Sequence, residues 1–365
     1  MQTRRIVRRA LKLIPEEEAG LAGLRYQQPT QAGYTRKKCG KYFRYFDAKG
    51  KLVTCPKLKH RFHALVIPPA WKNVWISSDP KSHIQATGID DKGRKQYRYH
   101  AQWRTQRDGS KFERILEFAK VLPILRQRIQ DNMRAEPLSK PQIVATIVHL
   151  LETTLIRVGN ESYAKQNKSY GLTTIRDQHV AIDKSRITFA FKGKSGVPHR
   201  IQLKDARLAR IIARCHDLPG QILFQYLDAD GKPHPVGSAD VNAFLKEITS
   251  GTFTAKDFRT WTASVMAAKV LREYDPPSSM TSGRRNVKAA ITEVSKALRN
   301  TVSICRKCYV HPRVIEAYLD GICDRHCAHQ YEVVARRYEQ QGLNEDEAFF
   351  LALLQGCSKG KAKAA

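Results

Sequence analysis

The chain has 365 residues, of which 42% are hydrophobic, and it has a formal net charge of +30. This length favours two domains, or one large domain with additions, and the apolar fraction suffices for a hydrophobic core. No stretch approaches the roughly 18 apolar residues that a membrane span needs, so we expect no membrane partner. The charge indicates an anionic partner. Nucleic acid is the leading candidate, because each phosphate that a protein neutralises releases counterions.

The N-terminal part of the chain is especially basic. Residues 1–105 contain 23 Lys and Arg against 7 Asp and Glu, which gives this part a net charge of +16. Residues 41–53 have the pattern of a hairpin around Asp47–Gly50, and residues 88–100 have that of a glycine-bearing turn leading into a strand. We therefore predict a small antiparallel β-sheet domain over residues 1–105.

A mainly helical pattern follows this basic part. We predict a larger, mainly α-helical domain over residues 106–350 and a basic tail over residues 351–365. Apolar spacing near the start of the larger domain predicts a helix that Pro123 breaks. Residues 141–160 predict a strongly apolar helix that ends at Gly159.

A short β segment interrupts the helical region. Residues 180–203 return to an alternating pattern, and the sequence GKSG at residues 193–196 is typical of a turn. This pattern predicts a β-hairpin with Lys194 on its turn. The expected fold class is therefore α+β, with a small antiparallel sheet domain and a larger helical domain that includes a hairpin.

The chain has eight cysteines and no visible secretory signal, so we expect a cytoplasmic protein with reduced thiols. Four of them are spaced C-x2-C-x14-C-x3-C, which is close to the spacing of zinc sites. The intervening stretch has helical periodicity, and such a helix would separate the two pairs by about 20 Å. Zinc binding and buried thiols both remain open, with thiols favoured. The four cysteines are Cys305, Cys308, Cys323 and Cys327.

Known motifs for metal-assisted phosphate chemistry are missing from the sequence. It contains no G-x-x-x-x-G-K-[ST] loop and no clustered acidic residues for paired Mg²⁺, which disfavours an NTPase and a two-metal nuclease. We expect no cofactor and no metal. A metal-free enzyme acting on a phosphodiester needs a nucleophile, guanidinium groups around the phosphate, and an acid for the leaving alkoxide. Composition alone does not select these groups among 64 Lys and Arg.

Five separated stretches of the sequence form an ordered set of motifs, and they are GIDDKGRKQYRYH (88–100), LIRVGNESYAKQNKSYGLTTIRDQHV (155–180), FKGKSG (191–196), TAKDFRTW (254–261) and SKALRNTVSICRKCYVHP (295–312). In sequence and in order they resemble the type IB DNA topoisomerases, specifically the poxvirus-like branch that bacteria also carry. The resemblance implies a tyrosine recombinase-like core in the larger domain. It also implies relaxation of supercoiled duplex DNA through a 3′-phosphotyrosyl intermediate, without ATP or metal.

The same resemblance implies the catalytic residues. Tyr309 would attack the scissile phosphorus and release a 5′-hydroxyl group. Arg157, at the end of the predicted apolar helix, and Arg259 would contact the phosphate oxygens. Lys194 would protonate the leaving oxygen as general acid. Asn300 stands where viral and eukaryotic relatives have a histidine; it can donate a hydrogen bond to the phosphate, although it cannot be charged.

Seven further residues are candidates for DNA contact, of which Gln96, Tyr97, Tyr99 and Tyr163 match DNA-facing positions of the family. Alternation along a strand would place Tyr97 and Tyr99 on one face. Asn160 stands where viral enzymes have a lysine used in target recognition, so the resemblance does not extend to a sequence preference. Lys256 precedes Arg259 by about one helical turn, so that both can face the DNA. The expected partner is double-stranded DNA, held by a monomer that closes as a clamp. The DNA-contacting positions are Arg94, Gln96, Tyr97, Tyr99, Asn160, Tyr163 and Lys256.

Two other functions fit part of the pattern. A tyrosine site-specific recombinase shares the catalytic core, but recombinases usually have H-x-x-R where this chain has Lys256-x-x-Arg259. A non-catalytic basic nucleoid protein fits the charge alone. Relaxation of supercoiled plasmid without metal or ATP would support only the topoisomerase.

Overall fold

The computed structural model describes residues 15–251, 253–321 and 333–360. The chain divides into two compact units, of which the N-terminal unit ends at Glu113 and the C-terminal unit begins at Arg114. This division lies within one helix, α3 (Ala101–Asn132), as does the domain boundary predicted after residue 105. No helix of the described segments combines the length and apolarity that crossing a membrane requires.

The N-terminal unit contains an antiparallel sheet of five strands, as predicted. Its spatial order is β2-β1-β3-β4-β5, and every neighbouring pair is antiparallel. Val74, Ile76 and Ala86 on the inner strands pack with Phe62 in a core that excludes water. The elements of this unit are α1 (Pro15–Leu21), β1 (Gly33–Cys39), β2 (Tyr42–Phe46), α2 (Pro56–Ala64), β3 (Lys72–Ser77), β4 (Ile84–Ile89) and β5 (Lys95–Tyr99).

The turn predicted at Asp47–Gly50 is present, because the Gly50 amide donates to the Asp47 carbonyl oxygen over 3.0 Å. The predicted hairpin is short, however. Strand β2 pairs along its length with β1, and only a single bridge joins Phe46 to Leu52.

Helix α3 passes through Pro123 without a break, so the predicted break there is wrong. An internal proline costs about 3 kcal/mol, because it removes one hydrogen bond and crowds the preceding turn. Leu122, Leu125 and Ile129 on either side are at most 1% exposed, and burial of each such side chain contributes roughly 1.5–3 kcal/mol. Packing on both sides of the proline therefore outweighs its local cost.

The C-terminal unit is mainly helical, with a three-stranded sheet in the order β6-β7-β8. Helix α8 lies at its centre and is buried nearly all round. The helices are α4 (Lys140–Thr154), α5 (Glu161–Asn167), α6 (Ala206–His216), α7 (Ser238–Ile248), α8 (Ala255–Glu273), α9 (Met280–Leu298), α10 (Val302–Cys308), α11 (Pro312–Leu319) and α12 (Glu345–Gly360), and residues 333–339 are also helical. The strands are β6 (Val180–Asp183), β7 (Arg186–Lys192) and β8 (Pro198–Lys204), with a short pair β9 (Gln225–Leu227) and β10 (Pro233–Pro235).

Helix α12 occupies much of the segment predicted as a basic tail from residue 351. Leu351 and Leu353 are 2% and 0% exposed and belong to the main core. Their apolar side chains make this part of the segment a core helix, and residues 361–365 lie outside the described residues.

A buried ion-pair network attaches α12 to the rest of the unit. Glu347, which is 4% exposed, accepts two hydrogen bonds from the Arg126 guanidinium at 2.6 and 2.9 Å. Its carboxylate also accepts from the Trp261 indole nitrogen at 3.0 Å and from the Asn344 amide at 3.0 Å. One carboxylate thus joins three elements of the core.

Glu347→Ala is expected to lower the free energy of unfolding by about 3 kcal/mol, because it leaves the buried indole N–H without its partner and removes one of the two carboxylates that pair with the part-buried Arg126. Urea unfolding of purified protein measures this loss. Glu117→Ala is the matched control, since Glu117 pairs with Lys120 on an exposed helix face and its removal should cost below about 1 kcal/mol. Equal losses in the two variants would contradict a structural role for the network.

Candidate active site

Arg157 lies on an extended segment, because helix α4 ends earlier than predicted. The helix stops at Thr154, and Leu155 then adopts a left-handed conformation with φ 57°. The predicted end at Gly159 is therefore wrong. The apolar periodicity does continue past Thr154, but the side chains that follow pack from a non-helical backbone.

The Arg157 segment is held by a second segment that follows α5. The Arg157 carbonyl oxygen accepts from the Leu172 amide at 2.9 Å, and the Val158 carbonyl oxygen accepts from the Thr173 amide at 2.7 Å. At Gly171, a Cβ atom would lie 2.5 Å from the Arg157 carbonyl oxygen. Glycine is therefore required for this close approach, and the backbone of Arg157 has a fixed position.

Arg259 connects the ends of two helices from its position on α8. It is 5% exposed; its two terminal nitrogens donate to the carbonyl oxygens of Leu155 and, at 2.7 Å, of Leu298. Its Nε atom is buried and has no hydrogen-bond partner among the described residues. Burial lowers the pKa of Arg259, and the nearby Tyr309 phenol opposes that change. The guanidinium remains charged at any physiological pH.

Asn300 pairs with Arg157 although 143 positions separate them. Helix α9 ends at Leu298, Arg299 then adopts a left-handed conformation, and the Asn300 amide donates to the Ser295 carbonyl oxygen at 3.0 Å. The Oδ1 atom of Asn300 accepts from an Arg157 Nη atom at 2.6 Å. This bond orients the side-chain amide, whose Nδ2 atom is buried and has no partner within the described segments.

Tyr309 follows directly on α10, and its backbone is held on both sides. Its amide donates to the Cys305 carbonyl oxygen at 3.0 Å, and its carbonyl oxygen accepts from the Ser264 hydroxyl at 3.1 Å. The half-buried ring lies beside Arg259, whose Cζ atom is 5.4 Å from the ring centroid. The fold thus brings Tyr309, Arg157, Arg259 and Asn300 together.

His311 begins helix α11, where its Nδ1 atom accepts from the Arg313 amide at 3.1 Å. Burial lowers the pKa of His311 to about 4. In the unfolded chain the pKa is about 6.5, so the unfolded state binds more protons at acidic pH. The stability that His311 contributes is therefore complete above about pH 6.5 and is lost as the pH falls towards 4.

His311→Asn is expected to reduce the loss of stability between pH 7 and pH 5 by on the order of 1–2 kcal/mol, because asparagine keeps the capping acceptor and does not titrate. Urea unfolding at the two pH values measures the difference. An identical pH dependence in variant and wild type would show that His311 titrates normally in the folded protein.

Lys194 lies on the turn between β7 and β8, as predicted. The turn includes left-handed residues, Ser195 with φ 64° and Gly196 with φ 75°. The Lys194 side chain is exposed, and its ammonium group makes no hydrogen bond or ion pair with a described residue. It is therefore available to a ligand that reaches this turn.

His199 on β8 is a candidate site residue that the sequence analysis missed. Its ring stacks on Phe191, with centroids 4.8 Å apart, and occupies the space that a Cβ atom at Gly193 would need. Both ring nitrogens are buried without a hydrogen-bond partner in the part of the chain that the structure describes. Burial is the main cause that lowers the pKa of His199 to about 4, and three arginine charges add to that effect. These are Arg299, Arg157 and Arg259.

The four proposed DNA-contacting residues of the N-terminal unit lie on or beside β5. Tyr97 and Tyr99 share one face, with their rings stacked 6.0 Å apart and 42% and 38% exposed. The carboxylate of Asp90, which the sequence did not point to, forms an ion pair with the Arg94 guanidinium at 2.6 Å. It also accepts a hydrogen bond from the Gln96 side-chain amide at 2.8 Å. The bond from Arg94 is the main cause that lowers the pKa of Asp90 to about 2.

The other three such residues lie in the C-terminal unit. The Asn160 side chain caps α5 by accepting from the Tyr163 amide at 3.1 Å. Tyr163 is 49% exposed, and Lys256 on α8 is also exposed, whereas Arg259 one turn later is buried. Lys256 and Arg259 therefore differ in environment although they share a helix.

The zinc hypothesis involves two residues outside the described segments, Cys323 and Cys327. Of the other pair, Cys305 is fully buried, and burial raises its pKa to about 11. Within the described segments, no three potential metal ligands cluster.

Comparison with known proteins gives concordant family matches. Residues 100–332 match the family model of the eukaryotic DNA topoisomerase I catalytic core, and residues 42–90 match that of the bacterial DNA topoisomerase IB N-terminal domain. DNA topoisomerase 1B of Acanthamoeba polyphaga mimivirus is 35% identical over 296 residues, 78% of this chain and 87% of that protein.

More distant relatives have related names. DNA topoisomerase 1B of Vaccinia virus (strain Copenhagen) is 23% identical over 64% of this chain and 72% of its own length. DNA topoisomerase 1 of Mycosarcoma maydis is 24% identical over 77% of this chain but only 30% of its own length. The chain therefore belongs to the type IB DNA topoisomerases, a family of isomerases.

Proposed function

We propose that this enzyme relaxes supercoiled duplex DNA by cutting and resealing one strand through Tyr309. The phenolate oxygen attacks the scissile phosphorus, the bond from phosphorus to the 5′ oxygen breaks, and a 3′-phosphotyrosine and a free 5′-hydroxyl group form. Attack by that hydroxyl group reverses the step and releases Tyr309. Each step exchanges one phosphodiester bond for another, so the cycle needs no ATP.

The observation that best supports this proposal is the pair of unsatisfied donors beside Tyr309. Arg259 Nε and Asn300 Nδ2 are both buried and have no partner among the described residues. A buried donor without a partner costs about 1–3 kcal/mol, so the folded chain keeps these groups at a cost. Non-bridging phosphate oxygens would accept from both, with Arg157 adding a second positive charge.

Lys194 is the proposed general acid. The leaving 5′ alkoxide is strongly basic, so its departure requires a proton. An exposed ammonium group on a hairpin turn, without an ion-pair partner among the described residues, can approach DNA bound at the arginines. Because Lys194 supplies the proton and the arginines stabilise the charge, we propose that catalysis requires no metal ion.

We further propose that a monomer closes as a clamp around the duplex, in the cytoplasm at the nucleoid. The exposed Tyr97 and Tyr99 would contact DNA from the N-terminal unit, with Arg94 and Gln96 oriented by Asp90. Asn160, Tyr163 and Lys256 would contact it from the C-terminal unit. The net charge of +30 supports an extensive phosphate interface.

Plasmid relaxation tests the proposal. We expect the purified protein to relax supercoiled plasmid in EDTA without ATP, and Tyr309→Phe to leave it supercoiled. Complete loss of wild-type activity in EDTA would refute the metal-free mechanism. Binding without relaxation under any condition would instead favour the non-catalytic nucleoid protein.

A further inference from the structure

We propose that His199 is a positioning residue for DNA cleavage. Its buried ring supports the turn that carries Lys194. The ring also holds that turn beside the arginine cluster, which consists of Arg157, Arg259 and Arg299. This inference rests on the proposed role of Lys194 as general acid. His199 would not touch the reacting atoms; it would act through the position of Lys194.

The pairing of the two hairpin strands places His199 directly below the turn. Phe191 and His199 are register partners on β7 and β8, and their rings stack at an interplanar angle of 15°. The chain then turns at Gly193, whose amide donates to the Val197 carbonyl oxygen at 2.8 Å. Because the His199 ring fills the space next to Gly193, it contacts the residue immediately before Lys194.

The same part of the hairpin is attached to the proposed phosphate site, which consists of Arg157, Arg259 and Asn300. Arg299 donates to the carbonyl oxygen of Arg200, the residue after His199, at 3.2 Å. Arg299 directly precedes Asn300, which pairs with Arg157. The base of the turn, at His199 and Arg200, is therefore connected to the proposed phosphate site through Arg299 and its neighbour Asn300.

Packing alone does not account for a histidine at this position. The side chain is 6% exposed, yet neither ring nitrogen has a hydrogen-bond partner among the described residues. A phenylalanine would stack on Phe191 equally well without burying unsatisfied polar atoms, each of which costs about 1–3 kcal/mol. The nitrogens are best explained by a hydrogen bond that forms when the turn closes on DNA.

The charge state of the ring fits such a role. Burial and the surrounding arginines lower the pKa of His199 to about 4, so the imidazole is neutral near pH 7. A neutral ring has one N–H donor and one nitrogen acceptor, and the acceptor can bind an N–H group of the turn. A charged ring would have no acceptor and would add a further cation to the cluster.

Single-turnover cleavage of two substrates tests the inference. One is ordinary duplex DNA, and the other has sulfur in place of the bridging 5′ oxygen, which makes a leaving group that needs no proton. If His199 acts through Lys194, His199→Ala should cleave ordinary DNA on the order of 10–100-fold more slowly and recover most of its rate on the sulfur substrate. The double variant with Lys194→Ala should be no slower than Lys194→Ala alone.

His199→Phe keeps an aromatic ring stacked on Phe191 and removes only the ring nitrogens. It therefore separates the loss of the nitrogens from any folding defect of the alanine variant. We expect it to melt at a temperature close to that of the wild type, to cleave ordinary DNA about tenfold more slowly, and to be rescued by sulfur. His179→Ala removes another histidine whose ring contacts an aromatic side chain near this sheet, and the cleavage rates of this variant on the two substrates should change equally.

Three results would overturn the inference: wild-type rates for His199→Phe on ordinary DNA, equal losses on both substrates, or multiplication of the two defects in the double variant. Failure of the proposed function is distinct from these results, because the wild-type protein would then form no covalent adduct with either substrate. If sulfur failed to rescue Lys194→Ala, Lys194 would be ruled out as the general acid and the inference about His199 would be wrong. The proposed role of Tyr309 would be unaffected.

Discussion

Tyr309→Phe is expected to abolish covalent capture of DNA while duplex binding remains nearly as tight as in the wild type. The substitution removes the phenol oxygen together with its hydrogen bond to Arg259, and the ring keeps its contact with the Arg259 guanidinium. The backbone hydrogen bonds that hold residue 309, from its amide to Cys305 and from Ser264 to its carbonyl oxygen, do not involve the side chain. The site should therefore retain its shape without its reactive group.

Denaturing electrophoresis of protein trapped on end-labelled DNA measures the adduct, and a filter or gel-shift titration measures binding. Tyr274→Phe is the control, because it removes the same phenol oxygen from an exposed tyrosine that lies outside the proposed site. Wild-type adducts should carry the protein on the 3′ end of the cut strand. A 5′ linkage, or adducts formed by Tyr309→Phe, would show that the nucleophile or the type of enzyme is wrong.

Lys194→Ala is expected to slow cleavage of ordinary DNA on the order of 10²–10⁴-fold and to recover most of its rate on DNA with a 5′-bridging sulfur. A general acid matters only when the leaving group is poor, and a thiolate leaves without a proton. Lys192→Ala is the matched control, since Lys192 is an exposed lysine on the same hairpin. This variant should cleave both substrates at wild-type rates.

Arg157→Ala should behave differently, because its guanidinium stabilises non-bridging oxygens that are present in both substrates. We expect little rescue by sulfur. Arg259→Ala is a less selective comparison, because Arg259 also donates to the carbonyl oxygens of Leu155 and Leu298 and its loss should destabilise the fold. Equal rescue of all three variants would show that Lys194 is an electrostatic contact and that the acid is another residue, with Arg259 the first to test.

Several features of this protein follow from the sequence by itself. The charge indicates a nucleic-acid partner, alternation predicts the antiparallel sheet, and the glycine-bearing motif places Lys194 on a turn. These features depend on composition or on residues a few positions apart, and such local preferences persist in the folded chain. The ordered motifs also indicate the family, which the comparisons confirm.

Tertiary structure decided the points at which local preference competes with packing. Helix α3 continues through Pro123 because flanking leucines are buried on both sides, and α4 ends at Thr154 because the Arg157 segment bonds to residues 171–174 instead. Neither outcome follows from periodicity, since the competing contacts come from distant parts of the chain.

The same reason applies to the site. The pairing of Arg157 with Asn300 joins residues 143 positions apart, and the burial of His199 among arginines depends on three further segments. Sequence motifs could name the individual catalytic candidates, but only the fold determines which donors are left unsatisfied around Tyr309. Because hydrogen bonds across such separations are selected by packing rather than by neighbouring residues, the environment of the site is a property of the tertiary structure.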